Sequence, residues 1–253
     1  MVIELDGGDR FEGQLDDNEM MQGRGRFTWA DGSYYDGDFV DDHFCGHGTM
    51  HDIDGSEYVG EWLDDVRHGH GKFTYASGAT YDGEWKNNQK DGYGVFADGG
   101  FRYEGHWAKD KFDGYGEMTS PDGYFKGEFV DGLRQGEGEL QSADGLYKGQ
   151  FFADKRHGTG MQQTPDGIVY VGGWVNGAMQ GVGRLTYPDG TYFEGTWVNS
   201  KQTGFGILHL ANGITVRGHW NGADKATDAL LTDEWGKDIV GKVVDGKFVP
   251  DEE

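Results

Sequence analysis

Cysteine is almost missing from this chain: Cys45 stands alone, which excludes an intrachain disulfide framework and suits a reducing compartment. Proline is scarce, 4 in 253 residues, and the 47 glycines follow no three-residue period, so collagen-like and proline-rich linker readings are both closed. Positive charge is in deficit, with 22 Lys and Arg against 45 Asp and Glu and a formal net charge of −23. That balance disfavours nucleic acid, whose phosphates are met by Lys and Arg, and disfavours direct adhesion to an anionic membrane. The opening stretch MVIELDGGDRF has no apolar core, and no long hydrophobic run or lipidation motif follows. A cytoplasmic chain is therefore expected. A basic protein partner is the electrostatic complement of such acidity, although acidity also keeps a glycine-rich and aromatic-rich sheet soluble.

What is present is a period. Every 22 to 24 residues the chain shows an aromatic, any residue, Gly, any residue, then Trp or Phe; a Gly-x-Gly and an Asp-Gly complete the unit. The units start at Phe11, Tyr35, Tyr58, Tyr81, Tyr103, Phe125, Tyr147, Tyr170 and Phe193, with a degenerate tenth at Val216. Regular self-similarity at this length marks a repeat array, which presents a long surface rather than one catalytic pocket.

Each unit reads as a β-hairpin. Alternation in Tyr81-Asp82-Gly83-Glu84-Trp85 puts Tyr81, Gly83 and Trp85 on one face and the acidic residues on the other. The residue three after the second aromatic is Asp42, Asp65, Asn88, Asp110, Gly132, Asp154, Gly177 or Ser200, types that mostly tolerate a left-handed turn. A second turn falls at Asp-Gly, as at Asp31-Gly32 and Asp54-Gly55. The expected fold is all-β: an elongated, twisted antiparallel hairpin array with a small C-terminal cap. Residues 1–10 form an N-terminal strand, 11–220 the array, and 221–253 the cap. In the cap, residues 224–231 have helical propensity, with Leu230, Leu231 and Trp235 placed to cover the last hairpin. A hairpin about Asp245-Gly246 and an acidic tail follow.

Most candidate chemistry dissolves on inspection. The Gly-x-Gly pairs lack the third glycine and helix of a dinucleotide site. His43, His47 and His51 have ligand-like spacing only on a helix, and here strands are broken by Gly46 and Gly48. No nucleophile–base constellation can be assembled. No catalytic residue, cofactor or metal is expected, and the chain reads as a non-enzyme. Two surfaces remain. The aromatic ladder offers Tyr58, Trp62, Tyr81, Trp85, Tyr103, Trp107, Phe129, Tyr147, Trp174 and Trp197 as partner-binding rings. Against that stands the bland reading that most of these rings are core, since the sheet has little else to bury. The pairs Asp41-Asp42 and Asp64-Asp65 recur at equivalent positions and should stack as an acidic edge.

The units Tyr81-Asp82-Gly83-Glu84-Trp85, His68-Gly69-His70-Gly71 and Lys155-Arg156-His157-Gly158-Thr159-Gly160 resemble the MORN repeat, and the resemblance covers about residues 11 to 220. Departures include Leu15 in place of the family's Trp and loss of its Lys at His43, Val66, Gln89, Leu133 and Ala178. The resemblance implies a twisted sheet with an aromatic groove. It also implies a non-catalytic scaffold in a cytoskeletal assembly, similar to radial-spoke-head subunits of the ciliary axoneme and to other cytoskeletal repeat-only members. Partners would be proteins, basic or carrying an apolar helical or extended segment, and open sheet edges allow a homodimer. The alternative it leaves open is a membrane-associated tether or phospholipid-binding adaptor. An accessory region of an enzyme would need a separate catalytic domain, for which the 33 residues after Trp220 are too few.

Overall fold

The computed structural model describes residues 1–5, 7–223 and 225–251. They form 23 β-strands and, among the described residues, no helix. The strands divide into two compact units, Met1–Pro121 with Phe129–Gly132 and Asp122–Glu128 with Leu133–Glu253. In the first unit each strand from Val2–Glu4 to Lys111–Ser120 pairs antiparallel with the next in sequence. In the second the same holds from Leu133–Ser142 to Lys247–Pro250. The N-terminal strand pairs with Arg10–Leu15, as its position requires.

One repeat explains the rest. The strand Glu57–Leu63 buries Tyr58, Gly60 and Trp62 and leaves Val59 and Leu63 exposed, the alternation of a half-buried strand. It turns through Asp64 and Asp65, both left-handed at φ 48° and 65°, into Val66–Thr74. Two consecutive positive φ values are the signature of a tight hairpin turn whose twist matches its strands. The Asp-Gly turn works differently. At the end of the preceding repeat, Asp54 Oδ1 accepts the Ser56 amide at 2.8 Å, and the Gly55 amide donates to the Asp52 carbonyl at 3.0 Å.

The two glycines of Gly-x-Gly have separate causes. Gly69 lies at a bulge, with φ +58°, where the register slips between Gly60 and Glu61. The slip frees the His70 amide, and Glu61 Oε1 accepts it at 2.8 Å. Glu84 does the same for the Tyr93 amide at 3.1 Å. The acidic residue before the second aromatic is thus a structural acceptor. Gly71 is different: it pairs with Gly60 on one side and Gly83 on the other, and the Tyr58 ring lies across it. A Cβ on Gly71 would come within 2.2 Å of the Tyr58 hydroxyl, so only glycine fits beneath the ring.

The C-terminal segment departs from expectation. Ala226–Thr232, which overlaps the 224–231 segment of helical propensity, is a strand paired with Thr215–Asn221. That edge would otherwise present unpaired amides and carbonyls, and satisfying it outweighs a weak local preference. Ala226 and Ala229 are buried, while Trp235, expected to cover the last hairpin, is 83% exposed in a turn closed by Asp233 and Lys237. The Asp233 carboxylate holds that turn by accepting the Trp235 and Lys237 amides, which leaves the indole outside. The hairpin about Asp245-Gly246 forms from Asp238–Val244 and Lys247–Pro250. Asp224 and the tail residues Glu252 and Glu253 lie outside the described residues.

Candidate functional site

All ten rings singled out from sequence are buried. Tyr58, Tyr81, Tyr103, Tyr147 and Phe129 are at most 2% exposed, and Trp62, Trp85, Trp107, Trp174 and Trp197 at most 7%. They form the core of their units rather than a reachable surface. In the first unit the ladder Tyr meets the second aromatic of its own repeat and that of the next edge-on: Tyr58 with Trp62 at 5.1 Å and Trp85 at 5.4 Å, Tyr81 with Trp85 at 5.1 Å and Trp107 at 5.2 Å, Tyr103 with Trp107 at 5.2 Å and Phe129 at 5.4 Å. Edge-to-face contacts of this kind add about 0.5–1.5 kcal/mol each beyond burial. The polar ends are satisfied too. The Tyr58 hydroxyl donates to the Glu61 carbonyl at 3.0 Å, and the Trp85 indole donates to the Gly71 carbonyl at 2.9 Å. The second unit repeats these bonds, with Tyr147 on Gln150 and Trp174 on Gly160. Burial pushes the phenols of Tyr58, Tyr81 and Tyr103 upward, and those of Tyr147 and Tyr170 up to about 12.

The rings are covered by residues that the sequence reading passed over. Directly across from the Phe or Trp of each repeat stands the residue two before Gly-x-Gly. In the first unit Phe44 pairs with Phe39, Arg67 with Trp62, Lys90 with Trp85 and Phe112 with Trp107. Phe44 stacks on Tyr35 at 4.0 Å and Phe112 on Tyr103 at 3.8 Å. Arg67 lies over the Trp85 ring at 4.6 Å, and Lys90 over Trp107 at 4.8 Å. All four are half-buried, so they line the face that a partner would meet. Behind them Phe73, Tyr75 and Phe96 continue the aromatic surface. A cleft of about 360 Å³ opens where Lys90, Phe96, Trp107 and Phe112 meet. In the second unit Arg134 and Arg156 hold the equivalent positions, over Phe151 at 5.6 Å and Trp174 at 4.7 Å. Parity could have found this row, because it shares a face with the rings it covers.

The charges in this row are not equally spent. Arg134 is paired with Asp154 at 3.0 Å. Arg67 instead gives its guanidinium protons to the side-chain and backbone oxygens of Asn88, which are neutral, and burial draws its guanidinium pKa downward. Lys90 has no carboxylate partner among the described residues.

At the rim, the turn aspartates join neighbouring repeats. The Asp65 amide donates to the Phe44 carbonyl at 3.1 Å while its Oδ1 accepts the Phe44 amide at 2.8 Å. Asp42 makes the same double contact with Met21, and its neighbour Asp41 accepts from the Gln22 side chain. Asp64 faces the Cys45 thiol at 4.0 Å. All four remain solvent-exposed, with Asp42 and Asp65 also acting as clasps. Asp65 further holds the His43 imidazole at 2.5 Å, raising its pKa by the hydrogen bond and by its charge. His51 sits on Glu57, so the three spaced histidines share a strand without converging. Among the described residues no three His, Cys, Asp or Glu side chains gather as a metal site.

The family model described as the MORN repeat matches nine consecutive segments, 11–34, 35–57, 58–80, 81–101, 103–123, 125–146, 147–169, 170–192 and 193–215. No curated protein matches the chain. Among solved structures, one similar chain is the TCP10 domain of Danio rerio CPAP in complex with a peptide of Danio rerio STIL. It has 15% identity, 99% of each chain covered and a TM-score of 0.41. Another is the SAS-4 TCP domain of Drosophila melanogaster in complex with a proline-rich motif of Ana2, at 10% identity, 91% and 88% coverage and a TM-score of 0.21. A streptogramin B lyase follows at 12% identity, 93% and 87% coverage and a TM-score of 0.18. None of these scores reaches a level that carries an argument, and the assignment rests on the repeats.

Proposed function

Since the chain belongs to the MORN repeat family, a non-catalytic repeat family, we propose that it is a scaffold that binds a partner protein along the half-exposed face over its ring ladder. One observation supports this most: the face combines aromatic rings with cations set in consecutive repeats, held by a core that needs none of them to be satisfied by a ligand. Aromatic and basic side chains on a rigid sheet are the groups that dominate protein recognition. The exposed turn aspartates add a second, acidic contact line along the rim for basic segments. The family resemblance favours a cytoskeletal setting, and within it the ciliary axoneme, with a cytoplasmic location. The chain itself is read as a non-enzyme.

The test is capture from extracts of ciliated cells on immobilised protein, beside a Lys90→Glu variant with unchanged melting and beside acidic-lipid vesicles. Salt-sensitive recovery of axonemal or motor proteins that Lys90→Glu loses supports the scaffold. Vesicle binding without such recovery overturns it in favour of a membrane tether.

A further inference from the structure

The row Phe44, Arg67, Lys90 and Phe112 runs across the strands of the first unit, one member per repeat. Each step spans two strands, about 9.6 Å at ~4.8 Å per strand. A ligand lying along the row must present a side chain to the same face at that interval. An extended strand shows the same face every ~6.7 or ~13.4 Å and misses it. An α-helix comes closest at seven residues, ~10.5 Å, and drifts by nearly 1 Å per repeat. A polyproline-II segment returns to the same face every three residues, ~9.3 Å on, and stays in step across the row.

We propose that this row holds a polyproline-II segment of a partner protein, with prolines seated on Phe44 and Phe112 and carboxylates meeting Arg67 and Lys90. The recognised pattern is Pro-x-x-acid-x-x-acid-x-x-Pro. It reads the same in both chain directions, so either polarity of the segment can satisfy it. The proposal rests on the reading of this face as a protein-binding surface and specifies its occupant. Flat rings suit proline, whose preformed helix loses little entropy on docking. The two central cations supply the charge: Arg67 is bonded to neutral Asn88 oxygens and Lys90 has no carboxylate partner among the described residues. Asp110, which lines the same cleft as Lys90, has one carboxylate oxygen taken by the Lys90 amide at 3.0 Å. The chain's net charge of −23 does not decide the matter, because charges beyond about 8 Å are screened at physiological salt while contacts in the row are not.

The test is fluorescence anisotropy of the full chain with a labelled peptide of that pattern. Comparators are its glutamine analogue and an alanine-rich helical peptide with glutamate at every seventh position. Arg67→Met and Lys90→Met remove charge but keep an unbranched stem over the rings. Each lost charge pair, on either side, should weaken binding about ten-fold. The Glu→Gln peptide changes need no variant to fold. Equal binding of the glutamine peptide overturns the assignment of the cations. Binding of the helical peptide alone, lost in Lys90→Met, overturns the polyproline-II occupant and leaves the protein-binding face intact. If no peptide binds and Lys90→Glu also leaves captured proteins unchanged, the proposal and the reading beneath it both fall.

Discussion

Alanine at Gly71 should destabilise the first unit by about 3 kcal/mol. The added Cβ would lie 2.2 Å from the Tyr58 hydroxyl and 2.4 Å from its ring carbon Cζ, so the ring must leave its seat. Overpacking of a tight site costs up to ~3 kcal/mol. Displacing the ring also breaks the bond from the Tyr58 hydroxyl to the Glu61 carbonyl, about 1 kcal/mol. Replacing glycine by alanine returns roughly 0.7 kcal/mol by restricting the unfolded chain. Gly78 is the comparison: it has φ +90° and nothing within 4 Å of an added Cβ, so Gly78→Ala should cost only about 1 kcal/mol, from backbone strain. Urea unfolding followed by tryptophan fluorescence reads both. At roughly 2–4 °C per kcal/mol for a chain of this size, Gly71→Ala should melt about 6–12 °C lower. In a Tyr58→Ala background the Gly71→Ala penalty should largely vanish, a coupling of about 2–3 kcal/mol. Equal midpoints for Gly71→Ala and Gly78→Ala, or additive behaviour with Tyr58→Ala, would show that the ring does not impose the glycine.

Two further outcomes follow from the same geometry. Burial raises the Tyr147 and Tyr170 phenols from 10.0 to about 12, so folding is favoured while both states are protonated. That stability is fully present below pH 10 and is lost as pH rises toward 12, when the unfolded chain ionises first. Ultraviolet titration should show the Tyr147 and Tyr170 phenols ionising only with unfolding; a single transition near pH 10 for all tyrosines in folded protein would contradict the burial. At the rim, Asp65→Ala removes the acceptor for the Phe44 amide and should cost about 1 kcal/mol. The same variant should lower the raised His43 pKa, followed by proton NMR; an unmoved titration would break the assigned pair.

Much of this molecule is legible one repeat at a time. The period, the hairpins, the turn aspartates and the shared face of Tyr58, Gly60 and Trp62 all depend on residues close in sequence, where alternation and turn chemistry act directly. The site is less legible for the same reason. Tyr58, Trp62 and their equivalents carry the chemistry of binding anchors, yet they are the large rings the sheet buries most fully, and burial claims them.

What the linear order determined alone is the architecture: a hairpin repeat with glycine where rings must pass and mostly Asp or Asn where a non-glycine backbone turns left-handed. Pairing between strands decided the remainder. It placed Arg67 and Lys90 over the indoles of neighbouring repeats. It gave Glu61 a bulge amide to accept. It also drew Ala226–Thr232 onto an open edge against its helical preference. These contacts join groups on different strands, and their energies exist only once the sheet has brought the strands together.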